Sequence, residues 1–394
     1  MTHCGWPRGC LLAAVMGIAS GAKAGVWVTD PVLGLAADFS TNPGLRVADH
    51  TAETHGAVLI DTPTTYHADS ISLSVRPSFR ISDSSGYSSL ASDYAHLGVR
   101  GEIDSERNSV TVTGQLARDS SLYYNYSVSG SAGVRRDTSS EDVSWIRALT
   151  ERLNFNLDVN SSRVLYGESG SFTTLTDYRY SSAAPSLAWT AGERTTFTVL
   201  GAAGLYDSAD GRTKSVNSNV QLGFTRQFSE LWSVNTTAGY SRETNTIDEY
   251  FGPFLLGYFR ATNTGTVYTA NVTRQGRLLT VAATASRSLV PSGFSFLSLQ
   301  QSYQLGFHYP RTERWSFDGH VRWLKSQEPQ VVGPTVNQSY LDLGLSAAWL
   351  FTEKWTLTLR ASRLTARYTP PTIDVAANGV TVELSRRFDS VKWH

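Results

Sequence analysis

Apolar and polar residues alternate along most of this chain with a period of two. In the stretch 315–323 the odd positions hold Trp, Phe, Gly, Val and Trp, whereas the even positions hold Ser, Asp, His and Arg. Side chains of a β-strand point alternately to its two faces, so this pattern predicts a strand with one apolar and one polar face. The alternation recurs in 71–81, 153–160, 231–241 and 341–349, and helical spacing is nowhere sustained. We therefore predict an all-β chain.

A short polar tripeptide recurs between the alternating stretches. Examples are Ser105–Arg107, Thr150–Arg152, Thr312–Arg314 and Thr352–Lys354, each with Glu at its centre. Two alternating segments and one longer polar loop separate successive turns of this kind. Short turns at one end and longer loops at the other are typical of an outer-membrane barrel, whereas a propeller blade would need four short strands per repeat.

The alternating segments predict a transmembrane antiparallel up-and-down β-barrel of 18 strands, with 16 as the fallback if the first pair does not form. An even number returns both termini to the same side, as bacterial barrels require. The longer loops, including 120–138, 245–261 and 327–337, are then expected outside the cell. The expected strands are 33–40, 54–62, 70–82, 90–103, 107–119, 139–150, 153–166, 175–191, 194–206, 215–228, 231–244, 262–274, 276–288, 295–310, 313–326, 338–351, 354–367 and 378–389.

The positions of the aromatic residues favour a membrane barrel over a soluble sandwich. Trp232, Trp315, Trp349 and Trp355 stand at strand ends beside the short turns, where an interfacial girdle is expected. The opposite face is small and polar, as a hydrated lumen requires. We therefore expect the apolar face to contact lipid and the polar face to line the interior. Arg386 is on the apolar face, and near the interface such a charge costs only about 0–1 kcal/mol.

The first 24 residues have the features of a secretory signal peptide. Arg8 precedes an apolar run of about ten residues, and Ala22 and Ala24 fit a small-x-small cleavage site. We expect a signal peptide over 1–24 and a single barrel domain over 25–394, located in the bacterial outer membrane. The segment 25–394 holds no Cys, 32 basic and 34 acidic residues, so its charge gives no indication of a nucleic-acid partner.

The end of the chain suggests a contact with the barrel-insertion machinery. The last expected strand alternates up to Phe388, and a final strand that closes on an aromatic residue resembles the signal which that machinery recognises. Residues 389–394 extend past Phe388, so the match to this signal is imperfect.

Four stretches of the chain also resemble a known family. They are LARDSSL at 116–122, RRD at 135–137, SW at 144–145 running into LTER at 149–152, and LTDYRY at 175–180. These stretches resemble the β-barrel porin family of proteobacterial outer membranes, whose members are often encoded beside exopolysaccharide-production genes. The resemblance implies an outer-membrane porin-like barrel and, through that gene association, a link to polysaccharide export. It carries over no catalytic or binding residue.

Candidate chemistry lies on the polar faces of the expected strands. Asp318 and His320 share one such face, and a lumenal Asp/His pair is the basis of a hydrolase hypothesis. The sequence shows no metal-ligand spacing and no nucleophile elbow, so we expect no enzyme, no metal and no cofactor. The charged and His residues expected to line a pore are Arg76, Arg80, Arg100, Asp158, Asp318, His320, Arg322, Asp342, Arg360 and Glu383.

The leading functional hypothesis is a channel for passive diffusion of small hydrophilic solutes, because barrels of about 16–18 strands leave an aqueous lumen. The alternative is an outer-membrane component of exopolysaccharide export that acts with periplasmic export components. In both cases outer-membrane lipid is the surrounding partner. Segment 245–261 is unusually apolar for an external loop. It is expected to fold inward as a constriction, to dock a partner, or to extend two strands above the membrane.

Overall fold

In a computed structural model the chain forms a closed antiparallel β-barrel. The structure describes residues 25–43, 45, 51–83, 93–120, 134–167, 175–251, 254–327, 337–369 and 372–393. Within these residues 21 strand segments form one sheet, and six of the segments join end to end into three strands, which leaves 18 strands in the wall. The expected signal peptide lies outside the described residues.

Three strands consist of two segments each. β1 comprises Val26–Thr29 and Val32–Ser40, and β2 comprises Glu53–Asp61 and Thr64–Ala68. The two strands keep one register across both breaks, because Val28 pairs with Thr65 and Val32 with Asp61. Pro31 and Pro63 lie in the breaks. Because Pro has no N–H to donate to a neighbouring strand, the ladder is interrupted at these residues. The last strand, β18, comprises Ile373–Arg387 and Val391–Trp393.

Each strand pairs with the next, and β18 pairs with β1 to close the barrel. The predicted fold class and the strand number of 18 are therefore confirmed within the described residues. The first pair does form, although β1 begins at Val26 rather than at residue 33. The strands β3 to β17 are Ile71–Ser82, Tyr94–Asp104, Asn108–Ser120, Arg135–Ala148, Leu153–Tyr166, Tyr178–Gly192, Thr195–Ser208, Thr213–Gln227, Trp232–Phe251, Phe254–Gln275, Thr280–Pro291, Leu297–Pro310, Trp315–Gln327, Asn337–Leu350 and Trp355–Thr369.

The expectation that the apolar segment 245–261 is an external loop is wrong, because the strands on either side continue through it. β11 and β12 remain paired as far as Phe251 and Phe254, so the hairpin extends beyond its neighbours. This is the third of the arrangements expected for the segment. The other two expected long loops lie partly outside the described residues, because 121–133 and 328–336 are not described.

The outer face of the barrel is apolar and exposed. Leu222 and Leu345, for example, are 67% and 62% exposed. At the ends beside the short turns, the Trp315 and Trp349 rings stack with their centroids 5.6 Å apart. Apolar side chains exposed all around a closed barrel and bounded by aromatic residues define a transmembrane barrel. In the described part of the chain no helix is long and apolar enough to cross a membrane.

Arg386, a charged residue on the apolar face, lies against aromatic rings. The guanidinium of Arg386 lies 5.5 Å from the ring centroid of Trp355 and 4.9 Å from that of Phe388. This arrangement keeps the charge within the aromatic girdle, where a cation–π contact offsets part of the cost of leaving water. Arg386 is thus placed at the interface, as its sequence position indicates.

The last strand does not end at Phe388, and that expectation needs correction. After a break at residues 388–390 the chain pairs again, and Trp393 lies opposite Trp27. The backbone N–H of Phe388 donates to the carbonyl of Pro31, so even the break stays attached to β1. The terminal aromatic residue of the last strand is therefore Trp393, which is 54% exposed.

The recurrent tripeptide forms the short turns through its hydroxyl group. The Oγ1 atom of Thr312 accepts from the backbone N–H groups of Arg314 and Trp315 at 3.2 and 3.1 Å. Thr150 and Thr352 accept from the corresponding N–H groups of their own turns. A side-chain acceptor here satisfies N–H groups that a tight turn leaves unpaired, which explains why the first residue is Ser or Thr.

Replacing Thr312 with Val is expected to destabilise the barrel by about 1 kcal/mol, because two turn N–H groups lose their acceptor. The change should lower the temperature at which the folded form disappears from a heat-modifiable gel. Thr312→Ser keeps the hydroxyl and should behave like the unmodified protein. Equal stability of the Val and Ser variants would show that the hydroxyl does not support the turn.

Candidate functional site

The apolar outer face identifies the residues that point into the barrel. Because side chains alternate along a strand, the neighbours of an apolar residue on the outer face point inward. On β3, for example, Phe79 and Ile81 are exposed outside, so Arg76 and Arg80 face the interior. The interior formed by these residues is the candidate functional site.

The inner wall has a charged side, formed by β14–β18 and β1–β7. Six of its cations lie beside acids on the same strand or on a strand one or two positions away, which reduces the cost of placing charge inside a protein. Arg80 pairs with Asp38. The other pairs, with the nitrogen–oxygen distance, are Arg76–Asp61 at 2.6 Å, Arg100–Glu102 at 3.3 Å, Arg136–Asp119 at 2.9 Å, Arg322–Asp342 at 3.2 Å and Arg360–Glu383 at 3.4 Å.

The remaining strands, β8–β13, form an uncharged polar side. Their inward residues are largely Ser, Thr, Asn and Gln, and Glu243 is the one inward charged residue among the described side chains of these strands. Glu243 is buried, with 2% of its surface exposed, and its Oε1 atom has no hydrogen-bond partner in the described part of the chain. The interior is therefore asymmetric, with ions paired on one side and amides and hydroxyls on the other.

All ten residues expected to line a pore lie on inward positions, but they differ in access to solvent. The side chains of Arg76, Arg100 and Arg360 are 64%, 58% and 56% exposed, so ions in the lumen would meet them directly. Arg80 is only 10% exposed and lies against Asp38, where His55 also approaches. Arg80 therefore acts mainly in holding β1 and β3 together. The others are Asp158, Asp318, His320, Arg322, Asp342 and Glu383.

The structure does not bring Asp318 and His320 together as a pair. Asp318 contacts His308 on the neighbouring strand at 2.6 Å, and His320 approaches Asp342 at 3.4 Å. Cross-strand neighbours are closer than residues two apart on one strand, which accounts for the different pairing. Among the residues that the structure describes, no three His, Cys, Asp or Glu side chains are grouped as metal ligands.

A turn between β13 and β14 folds into the barrel. The carbonyl of Ser292 accepts from the hydroxyl of Tyr206 at 2.9 Å, and the carbonyl of Gly293 accepts from the N–H of Thr176 at 2.8 Å. The hydroxyl of Ser295 donates to Thr176 Oγ1 at 2.8 Å. These partners belong to the region of β7–β9, which is several strands away around the wall. The turn therefore crosses the interior.

An apolar contact fixes the turn against the inner wall. Leu297 is 1% exposed and packs with Val164, Tyr178 and Tyr206, whose side chains all face inward. The three wall residues come from β7, β8 and β9. Burial of apolar surface by a loop inside a polar lumen keeps the loop in place without covalent links. We call residues 291–297 the inner turn.

A second loop covers the opposite part of the interior. Leu45, between β1 and β2, is 5% exposed and packs with Leu324, Tyr340 and Tyr368 on the inner wall of β15–β17. The lumen is thus narrowed from two sides at the end away from the short turns. The sequence pattern did not reveal either loop, because their apolar residues are too few to form a periodic signal.

The inward course of the inner turn separates β13 from β12. The two strands pair from Gln275 and Thr280 only as far as Tyr268 and Arg287, although β12 continues to Phe254. The guanidinium of Arg287 lies at the separation and donates to Thr266 Oγ1 at 3.3 Å. Beside it is a cavity of about 140 Å³.

The cavity is lined by polar groups of the uncharged side. Asn217 is 6% exposed, and its Oδ1 atom has no hydrogen-bond partner within the described residues. Tyr180 and Asn217 both lean over Gly204, where a Cβ would collide with the Tyr180 hydroxyl and with Asn217 Oδ1. Gly204 is therefore required for this wall to keep its shape. Hydroxyl and amide groups of this kind suit contact with water or a hydrophilic solute.

Comparisons with known proteins find similar solved structures but no matching family model or curated protein. Among solved structures, Pseudomonas aeruginosa OpdK with vanillate shares 12% identity at a TM-score of 0.46, covering 93% of this chain and 99% of OpdK. P. aeruginosa OccK3 shares 12% at 0.47 over 92% and 96%, and Acinetobacter baumannii OccAB4 shares 12% at 0.45 over 93% and 99%. At these values no property is transferred to this chain.

The wall and the interior together define the class of protein. An 18-stranded closed barrel with a lipid-facing apolar band and a polar, ion-paired inside is a transmembrane β-barrel of the outer-membrane type. This is also the fold that the resemblance to porin-like barrels implies.

A double variant tests whether the inner turn is inside the barrel. Segment 25–394 has no Cys, so Thr176→Cys and Ser295→Cys introduce the only thiols of that segment. Their side chains touch in the structure, and a disulfide is expected to form on oxidation in isolated outer membranes. It should appear as an altered mobility on a non-reducing denaturing gel, and each single-Cys variant is the control. An unchanged mobility after oxidation would place the turn elsewhere.

Proposed function

We propose that the protein is a channel for passive diffusion of small hydrophilic solutes across the outer membrane. The observation that carries the proposal is the inner wall of β14–β18 and β1–β7, where ionised side chains remain more than half exposed inside the barrel. Arg76, Arg100 and Arg360 illustrate this exposure. Exposed ionised groups inside a barrel require water, and a water-filled lumen of 18 strands is wide enough for small solutes.

The two covering loops support a restricted channel rather than a wide pore. The inner turn and the loop at Leu45 occupy space at the same end of the lumen. In a channel, pore width and lining charge set selectivity. The solute path in this proposal follows the charged side of the wall, because the inner turn lies against the uncharged side at Tyr178 and Tyr206.

Neutralising the exposed cations of the charged side is expected to make the channel more selective for cations. In a variant with Arg76→Gln, Arg100→Gln and Arg360→Gln, the acids Asp61, Glu102 and Glu383 lose their counter-charges. The reversal potential in a planar bilayer under a KCl gradient should shift in the cation-selective direction.

The matched control is Arg363→Gln, because Arg363 is on the same strand as Arg360 but faces outward and is exposed. This variant should leave the reversal potential unchanged. Absence of any single-channel conductance in the unmodified protein would contradict the channel itself. A normal conductance with an unshifted potential in the triple variant would contradict only the assignment of the lining residues.

We also propose that the barrel-insertion machinery recognises the end of β18. The support for this is the outward, exposed Trp393, which is the last aromatic residue of a strand that closes the barrel on β1. Trp393→Ala is expected to reduce the amount of folded protein in the outer membrane several-fold, because an exposed aromatic anchor is lost. Lys392→Ala, on the opposite face, is the control. Equal amounts of both variants, measured by heat-modifiable gel mobility, would rule out Trp393 as the signal.

A further inference from the structure

The cavity beside Arg287 lies between the β13–β14 hairpin and the inner wall of the uncharged side. Leu289 of β13 packs against the apolar cluster that holds the inner turn, so the upper end of β13 leans into the lumen. The wall of β8–β12 faces this end of the hairpin across the cavity. We call this space the side cavity. Its lining includes Tyr180, Ser182, Asn217, Val267, Arg287 and Leu289.

Buried polar atoms without a hydrogen-bond partner lie at this cavity. Within the described residues, Asn217 Oδ1 and Arg287 Nε line it and make no hydrogen bond. Glu243 is directly opposite Asn217 on the next strand, and Asn263 is directly opposite Glu243 on the strand after that. The amides of Asn245 and Asn263 lie beside the Glu243 carboxylate.

These three neighbours of the side cavity also hold unpaired atoms. In the described part of the chain, Glu243 Oε1, Asn245 Nδ2 and Asn263 Nδ2 are buried and complete no hydrogen bond. Leaving a buried polar group unsatisfied costs free energy, and most such groups in folded proteins have a partner. The concentration of these atoms on three adjacent strands therefore indicates a place for a bound molecule.

The unpaired atoms include both acceptors and donors. Asn217 Oδ1 and Glu243 Oε1 accept hydrogen bonds, whereas the nitrogens of Arg287, Asn245 and Asn263 donate them. An anion would satisfy only the donors, and a metal cation would satisfy only the acceptors. A hydroxyl group donates one hydrogen bond and also accepts. A molecule with several hydroxyl groups therefore matches this set.

The charges around the side cavity favour a ligand without net charge. Among the described residues that line the cavity, Arg287 alone is charged. Its Nη1 atom donates to Thr266, and its direct cross-strand neighbours are Tyr268 and Gln301, so no acid stands opposite it. On the other side, Glu243 is directly opposite Asn217. One cation and one carboxylate thus flank the space, and their charges balance.

The size and the apolar part of the lining fit a six-membered ring. The volume is about 140 Å³, and a cavity of about 150 Å³ is known to hold a ring of six atoms. Val267, which is 5% exposed, and Leu289 supply apolar surface next to the hydroxyl groups of Tyr180 and Ser182. A sugar ring is divided in the same way, because C–H groups cover its faces and hydroxyl groups project from its rim.

We propose that the side cavity binds an uncharged polyhydroxylated ring, which is the chemistry of a monosaccharide. Arg287 donates to one hydroxyl group of this ligand, and Asn217 accepts from another. The proposal names a solute class for the channel and rests on the proposed function, because the ligand reaches the side cavity through the lumen. The bound ring lies behind the β13–β14 hairpin, away from the charged side of the wall.

The proposal is tested with D-glucose, D-galactose and D-mannose as probes. The purified full barrel in detergent is titrated with each sugar, and binding is followed by saturation-transfer difference NMR. At least one of the sugars is expected to bind with a millimolar Kd. The protonated amino sugar and the uronic acid of the same ring carry a charge and should bind at least about tenfold more weakly, because each leaves part of the mixed donor and acceptor set unsatisfied.

Two variants remove the anchors and one serves as a matched control. Asn217→Leu and Arg287→Met should each weaken sugar binding by about tenfold or more. Asn217→Leu removes a buried acceptor that has no partner among the described residues, so the barrel should stay folded, as heat-modifiable gel mobility will show. The control is Asn235→Leu, the same change at an inward, exposed position of β11 that does not line the side cavity. It should bind sugar like the unmodified protein.

The outcomes separate this proposal from the channel function, because binding in detergent does not depend on transport. A barrel that conducts ions in a planar bilayer but binds none of the three sugars would overturn the side-cavity proposal and leave the channel intact. Tighter binding of the uronic acid than of the neutral sugar would show that Arg287 selects an anion and would also overturn it. Equal sugar binding by Asn217→Leu and Asn235→Leu would place the sugar elsewhere, with the same consequence.

Discussion

The closure of the hydrogen-bonded wall is the constraint on which the rest of the structure depends. Hydrocarbon offers no hydrogen-bond partner, so every N–H and C=O of a spanning strand must be satisfied inside the protein. The ladder between β1 and β18, from Val32 and Arg387 to Ser40 and Gly379, satisfies the two edges that would otherwise be open. Once closed, the wall separates an outside that contacts lipid from an inside that does not.

This separation explains how one strand can carry opposite chemistries on its two faces. On β15, Trp315 stacks at the interface while Asp318 pairs with His308 inside. The interior is free to be charged because its ions are paired and hydrated, and the charge on the outside is limited to the boundaries of the lipid band. Arg386 among its aromatic neighbours is one example at the lower boundary.

The sequence was most informative where a property repeats along the chain. Alternation predicted the 18 strands, and the Thr-Glu-Arg turns predicted which end of the barrel has the short connections. Both signals depend on neighbouring residues only. It was wrong at 245–261, which was assigned to an external loop although β11 and β12 stay paired there. It also ended the last strand at Phe388, since the break at residues 388–390 hides the return to pairing at Trp393.

The sequence by itself therefore determined the faces of the strands, their number and the residues that point inward, including Arg76, Arg100 and Arg360. Only the tertiary structure decided which of these remain exposed, and that the turn at 291–297 lies against Tyr206. The physical reason is the distance along the chain over which each property is set. The direction of a side chain follows from the two-residue period of its own strand, whereas a contact between Tyr206 and Ser292 exists only because the wall curves and closes.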